Sequence, residues 1–153
     1  MKRRIFFTGL LLLVASAFAN AAEKSEAKPS TPAATTTNAP SVQVIAYYFH
    51  GTVRCETCQK IEKQAQEVIE QRFKSELIAK RLMFKPLNYD LPENAHFLQD
   101  YKLPCPSLVL VRRQAGKDEK WKLLGETWQL VEDTTKFNRY VEDEVDKFLR
   151  DMK

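Results

Sequence analysis

The sequence predicts an α/β domain in which helices flank a four-stranded mixed sheet, in the order β-α-β-α-β-β-α. Residues 42–49 (VQVIAYYF) form an apolar run rich in β-branched and aromatic side chains, which is typical of a buried strand. Apolar residues then recur at helical spacing from Cys58 to Leu77. The same spacing returns between Phe137 and Met152, after Asp133 as a helix cap. Two long helices and one central strand therefore frame the domain.

The remaining elements are shorter and lie between the two long helices. Residues 82–89 predict a second strand, and Pro86 favours an edge position for it, because proline cannot donate to a neighbouring strand. A short helix is predicted at 92–101, a third strand at 107–111, a turn at 114–118 and a fourth strand at 120–124. A βαβ unit has parallel strands and a right-handed crossover, so we expect the first strand to be central. The last two strands are close enough to form a hairpin.

Length and charge exclude several classes of function. The chain has 153 residues, enough for one domain and too few for a TIM barrel, a two-domain dehydrogenase or a multi-span transporter. Its net charge is +4, but Lys2, Arg3 and Arg4 contribute three of the positive charges. Without them 21 positive side chains face 20 negative ones, so we expect no nucleic-acid partner.

The first 21 residues predict an export signal. Lys2, Arg3 and Arg4 precede an apolar stretch at 5–18, and Ala19-Asn20-Ala21 has the small residues that signal peptidase requires. The alternative is an uncleaved membrane tether, although 14 helical residues rise only about 21 Å. Export to the periplasm is expected, an oxidising compartment. Residues 22–40 are rich in Ala, Thr, Pro and Ser and predict a disordered linker before a domain at 41–153.

Cysteines carry the chemistry. Cys55-Glu56-Thr57-Cys58 places a C-x-x-C pair where a strand ends and a helix begins. Free backbone N–H groups and the helix dipole stabilise a thiolate there, with Arg54 adding a cation and Glu56 opposing it. Such a pair performs thiol–disulfide exchange, so Cys55 is the expected nucleophile and Cys58 the resolving thiol. The alternative is a purely structural disulfide.

A third cysteine opens another class of function. Cys105 precedes Pro106 at the start of the third strand. Together with Cys55 and Cys58 it would suit a soft ion such as Cu(I), zinc or arsenite, with His50 as a fourth ligand. The alternatives are a small buried side chain at Cys105 and a loop histidine at position 50 that is satisfied by the backbone. No cofactor is expected.

Three features resemble the thioredoxin-like superfamily: the strand–CxxC–helix unit, the stretch at 87–90 (LNYD), and Pro106-Ser107 entering a strand. Residues 49–58 (FHGTVRCETC) are more narrowly similar to the exported ArsF-type proteins, small thioredoxin-like chains named as nitroreductase subunits. The resemblance covers most of residues 42–152. It implies that Pro106 is a cis-proline beside the C-x-x-C that presents the substrate backbone.

The sequence also departs from the thioredoxin pattern. Arg54 stands where tryptophan is usual, Glu-Thr replaces Gly-Pro between the cysteines, and the preceding strand has no carboxylate. Three hypotheses follow: an exported thiol–disulfide oxidoreductase with a protein thiol or disulfide partner, a soft metal or arsenite binding protein, and an accessory subunit of a redox complex.

Overall fold

The computed structural model describes residues 42–152. The predicted signal peptide at 1–21 and the linker at 22–40 lie outside the described residues. The elements are β1 (Val42–His50), α1 (Glu56–Arg72), α2 (Lys74–Ile78), β2 (Leu82–Asn88), α3 (Phe97–Asp100), β3 (Ser107–Gln114), β4 (Lys117–Leu123), α4 (Thr127–Leu130) and α5 (Thr134–Arg150). No helix in this part of the chain is both long enough and apolar enough to cross a bilayer.

The four strands form one mixed sheet in the order β2-β1-β3-β4. β1 is parallel to β2 and antiparallel to β3, and β3 is antiparallel to β4. As predicted, β1 is central and Pro86 lies on an edge strand, opposite Tyr48. This strand order, with α1 crossing from β1 to β2, is that of the thioredoxin-like fold, so the predicted fold class is confirmed.

β1 is buried on both of its faces. Val44, Ala46 and Tyr48 pack under the two long helices, α1 and α5, in the larger core. The intervening side chains Tyr47 and Phe49 enter a smaller aromatic core on the other face, closed by the segment around α3. Burial on both faces explains why β1 is an almost continuous apolar run. Burial of Tyr48 and Phe49 also holds the C-terminal end of β1 in place, and the loop that carries Cys55 begins there.

Four details differ from the sequence-based expectation. The first long helix breaks at Phe73 (φ −120°), and the single helix predicted at 92–101 is a one-turn 3₁₀ helix (Pro92–Asn94) followed by α3. β4 begins earlier than predicted because Ala115 and Gly116 both have positive φ and close a tight hairpin turn. α4 was not predicted, since four residues carry too little periodicity to signal a helix.

Candidate active site

The two cysteines of the C-x-x-C motif form a disulfide at the start of α1. Cys55 is the helix N-cap, and its sulfur accepts a hydrogen bond from the Cys58 N–H at 3.0 Å. Cys55 is exposed, whereas Cys58 is only 4% exposed. A substrate sulfur can therefore reach Cys55 but not Cys58. This asymmetry suits the predicted division into an attacking and a resolving cysteine.

The loop that leads to Cys55 is held by the residues that follow β2. The Thr52 N–H donates to Asp90 Oδ2 at 2.6 Å, and Asn88 Nδ2 donates to Thr52 Oγ1 at 3.0 Å. Gly51 is buried there, and a Cβ at this position would lie 3.2 Å from Asp90 Oδ2. The 87–90 stretch that the sequence singled out thus positions the loop.

His50 ends β1 and lies against the backbone of the same loop. Its Nδ1 is 2.9 Å from the Gly51 carbonyl oxygen, and its ring stacks near Tyr48 with 6.4 Å between the ring centroids. The Tyr89 N–H donates to the His50 carbonyl oxygen at 2.9 Å. These contacts agree with the alternative of a histidine satisfied by the backbone.

Arg54 does not stand beside Cys55 as an isolated cation. Its guanidinium forms an ion pair with Glu62, and the two side chains are only 26% and 19% exposed. Glu62 lies four residues after Cys58, on the same side of α1, and helical side chains tilt toward the helix N-terminus. Glu62 was not among the predicted site residues, although its spacing of four from Cys58 predicts a side chain on the same side of the helix.

Tyr48 is a second polar group that sequence reasoning assigned only to the core. Its hydroxyl donates to the Cys58 carbonyl oxygen at 2.6 Å, and the side chain is fully buried. Burial raises the pKa of the Tyr48 hydroxyl, and the Glu62 carboxylate raises it further while Arg54 lowers it. Tyr48 therefore stays protonated and tethers the first turn of α1 to the central strand.

The predicted cis peptide before Pro106 is wrong. No peptide bond in residues 42–152 is cis, so the Cys105–Pro106 bond is trans. Trans is the intrinsically favoured isomer, and both flanking carbonyls are satisfied in it. The Cys105 carbonyl accepts from Ser107 Oγ at 2.7 Å, and the Pro106 carbonyl accepts from Trp128 Nε1 at 2.9 Å. The indole comes from α4, the helix that the sequence did not reveal.

Cys105 is a half-buried free thiol. It lies two residues before Ser107, which pairs with Phe49 in the sheet, so Cys105 is close to the end of β1. Burial raises the pKa of the nearby Tyr89 hydroxyl, and the Asp90 carboxylate raises it further. Within residues 42–152, no three His, Cys, Asp or Glu side chains are grouped so that they could hold a metal ion. The predicted three-cysteine site is not assembled in this disulfide-bonded form, because the sulfurs of Cys55 and Cys58 are bonded to each other.

No family model and no curated protein sequence matches the chain. Among solved structures, the Trxlp protein of Edwardsiella tarda is 16% identical with a TM-score of 0.41, and covers 68% of this chain and 85% of its own. A thioredoxin from Thermus thermophilus is 22% identical with a TM-score of 0.36, over 65% and 73% of the two chains. The thioredoxin of Malassezia sympodialis is 15% identical with a TM-score of 0.36, over 64% and 76%. By its own strand order and directions, the chain forms a thioredoxin-like domain with a disulfide at the start of its first helix.

Proposed function

We propose that this protein is a thiol–disulfide oxidoreductase. The observation that carries the proposal is the Cys55–Cys58 disulfide at the N-terminus of α1, with one sulfur exposed and the other buried. A structural disulfide has no need of an exposed sulfur at a helix N-cap. Backbone N–H groups at that position stabilise the thiolate that exchange requires.

In the reducing direction, the Cys55 thiolate attacks one sulfur of a substrate disulfide. The substrate S–S bond breaks, and a mixed disulfide forms between Cys55 and the attacked sulfur. The other substrate sulfur leaves as a thiolate that takes a proton from water. Cys58 then loses its proton to solvent and attacks the Cys55 sulfur. The substrate sulfur that was bound to Cys55 leaves as a thiolate, and the Cys55–Cys58 disulfide is restored. The oxidising direction is the reverse of these steps.

Pro106 completes the proposed site as a positioning residue. The Pro106 carbonyl accepts a hydrogen bond from Trp128, and Ser107 pairs with Phe49 in the sheet, so the 105–106 segment lies beside the end of β1 that leads to Cys55. The 105–106 segment would therefore contact the backbone of a protein substrate whose sulfur has reached Cys55.

The location and the narrower kinship are also proposals. The signal at residues 1–21 supports export to the periplasm, and the FHGTVRCETC stretch supports a place among the ArsF-type proteins. Expression of the full chain with a C-terminal tag, followed by fractionation and mass spectrometry, should give a periplasmic protein that begins at Ala22. A full-length protein in the membrane fraction would instead support the uncleaved tether.

Reduction of insulin by dithiothreitol tests the oxidoreductase activity. The wild type should accelerate it, and Cys55→Ser should lower the rate to the uncatalysed background. Cys58→Ser should accumulate a mixed disulfide between Cys55 and the substrate, visible by mass spectrometry. Pro106→Ala should slow the reaction with insulin several-fold more than the reaction with glutathione disulfide, because only the protein substrate offers a backbone to position.

Glu67→Gln is the matched control for this assay, since Glu67 lies on the same helix and is exposed in an ion pair with Lys63. Activity that survives in Cys55→Ser would contradict the proposal. A wild type without activity would favour the accessory subunit, which uses the fold only for interaction.

A further inference from the structure

The charges around the dithiol assign a direction to electron flow, an inference that rests on the proposed function. We propose that Glu62, by pairing with Arg54, withholds positive charge from the Cys55 thiolate and makes the protein a reductant of substrate disulfides. A thiolate that is less stabilised favours the disulfide form of the pair, so electrons leave the dithiol for the substrate.

The Arg54–Glu62 pair is placed to act on Cys55. Arg54 directly precedes the N-cap and is the cation nearest to Cys55 in the sequence. Its guanidinium is turned toward Glu62, further along the helix. Both side chains are mostly shielded from water, so their charges are screened less than those of an exposed pair.

Other charges on α1 do not replace the one that Glu62 neutralises. Lys60 is paired with Glu132 at 2.6 Å, and Lys63 lies 3.9 Å from Glu67. Glu56, next to Cys55 in the first turn, has no ion-pair partner among the described residues. The cations near the start of α1 are therefore each paired with a carboxylate.

Beside the dithiol, β1 contributes a neutral group. It is the Tyr48 hydroxyl, which donates to the Cys58 carbonyl oxygen and interacts with the opposed charges of Glu62 and Arg54. The neutral Tyr48 hydroxyl therefore does not replace the positive charge that Glu62 neutralises.

The thiol–disulfide equilibrium with glutathione measures the effect. Glu62→Gln keeps the size of the side chain and frees the charge of Arg54, so the disulfide should become about tenfold easier to reduce, about 30 mV for a two-electron couple. Arg54→Gln leaves Glu62 unneutralised and should shift the equilibrium constant in the opposite direction. The double variant should return close to the wild type, because the two charges act against each other.

Glu67→Gln is the control variant and should leave the equilibrium constant unchanged. The wild type should catalyse reduction of insulin without accelerating oxidation of reduced, unfolded ribonuclease. An equilibrium constant unchanged in both Glu62→Gln and Arg54→Gln would overturn the inference, as would a wild type that oxidises faster than it reduces. If circular dichroism shows that Glu62→Gln does not fold, the equilibrium constants of Arg54→Gln and of the double variant test the inference instead.

The two proposals fail in different ways. If the wild type exchanges with glutathione but the charge variants do not change the equilibrium constant, the proposed oxidoreductase activity is retained and the role of Glu62 is rejected. A wild-type disulfide that exchanges with no thiol removes both.

Discussion

Two glutamates on the two long helices, Glu62 on α1 and Glu144 on α5, differ in the number of cations that neutralise them. Glu144 lies between two cations, with Lys122 Nζ at 2.6 Å and Lys147 Nζ at 2.7 Å, and its side chain is only 7% exposed. Glu62 has one cation, Arg54, and lies one helical turn from a cysteine of the disulfide. Excess positive charge around Glu144 secures α5 to β4. At Glu62 the single cation is neutralised, so Arg54 adds little to the stabilisation that the helix N-terminus gives the Cys55 thiolate. We therefore expect stability to depend on Glu144 and redox poise to depend on Glu62.

The largest effect on stability is expected from Glu144→Gln. The change removes two charge-assisted hydrogen bonds from a buried carboxylate, and we expect the free energy of unfolding to fall by about 1–2 kcal/mol, since the lysines are half-exposed. Urea unfolding measures it. The exposed Glu67→Gln should change the free energy of unfolding by less than about 0.5 kcal/mol. A changed thiol–disulfide equilibrium with glutathione in Glu144→Gln would contradict the assignment of stability to Glu144 and of the reduction potential to Glu62.

The contribution of Glu144 should also depend on pH. Although burial opposes it, hydrogen bonds from Lys122 and Lys147 hold the pKa of Glu144 below its usual value of 4.5. A group with a lowered folded-state pKa stabilises the fold above its unfolded pKa and loses that contribution as the pH falls through the folded pKa. The difference in unfolding free energy between the wild type and Glu144→Gln should therefore be full at pH 7 and shrink below about pH 4.5. A difference that stays constant down to pH 2 would contradict this account.

A smaller effect on stability is expected from Tyr48→Phe, because Tyr48 contacts the backbone of Cys58 but carries no charge. The change removes the hydroxyl bonded to the Cys58 carbonyl, and we expect a loss of about 1 kcal/mol in the free energy of unfolding. The equilibrium with glutathione should move less than it does in Glu62→Gln, because no charge changes. A shift as large as that of Glu62→Gln would show that hydrogen bonding, not charge, sets the redox poise.

The contrast between the two glutamates also marks the limit of sequence-based prediction. The strand order, the edge position of Pro86 and the cap at Asp133 could be predicted, because each follows from local periodicity or from the geometry of one residue type. The pairing of Arg54 with Glu62 could not, since it depends on where a guanidinium turns after the chain leaves β1. The cis bond at Pro106 was expected from the resemblance to the thioredoxin-like superfamily. The bond is trans, and the Pro106 carbonyl accepts a hydrogen bond from Trp128 on α4, a helix that the sequence pattern did not predict.

Alkylation of the reduced protein as a function of pH tests the central claim most directly. Cys55 caps α1 and accepts a backbone N–H bond, so one thiol should react with an apparent pKa below the free value of ~8.5. Mass spectrometry of the alkylated peptides should place that thiol at Cys55, and the early phase should disappear in Cys55→Ser. An early-reacting thiol that survives in Cys55→Ser would contradict the assignment of Cys55 as the nucleophile.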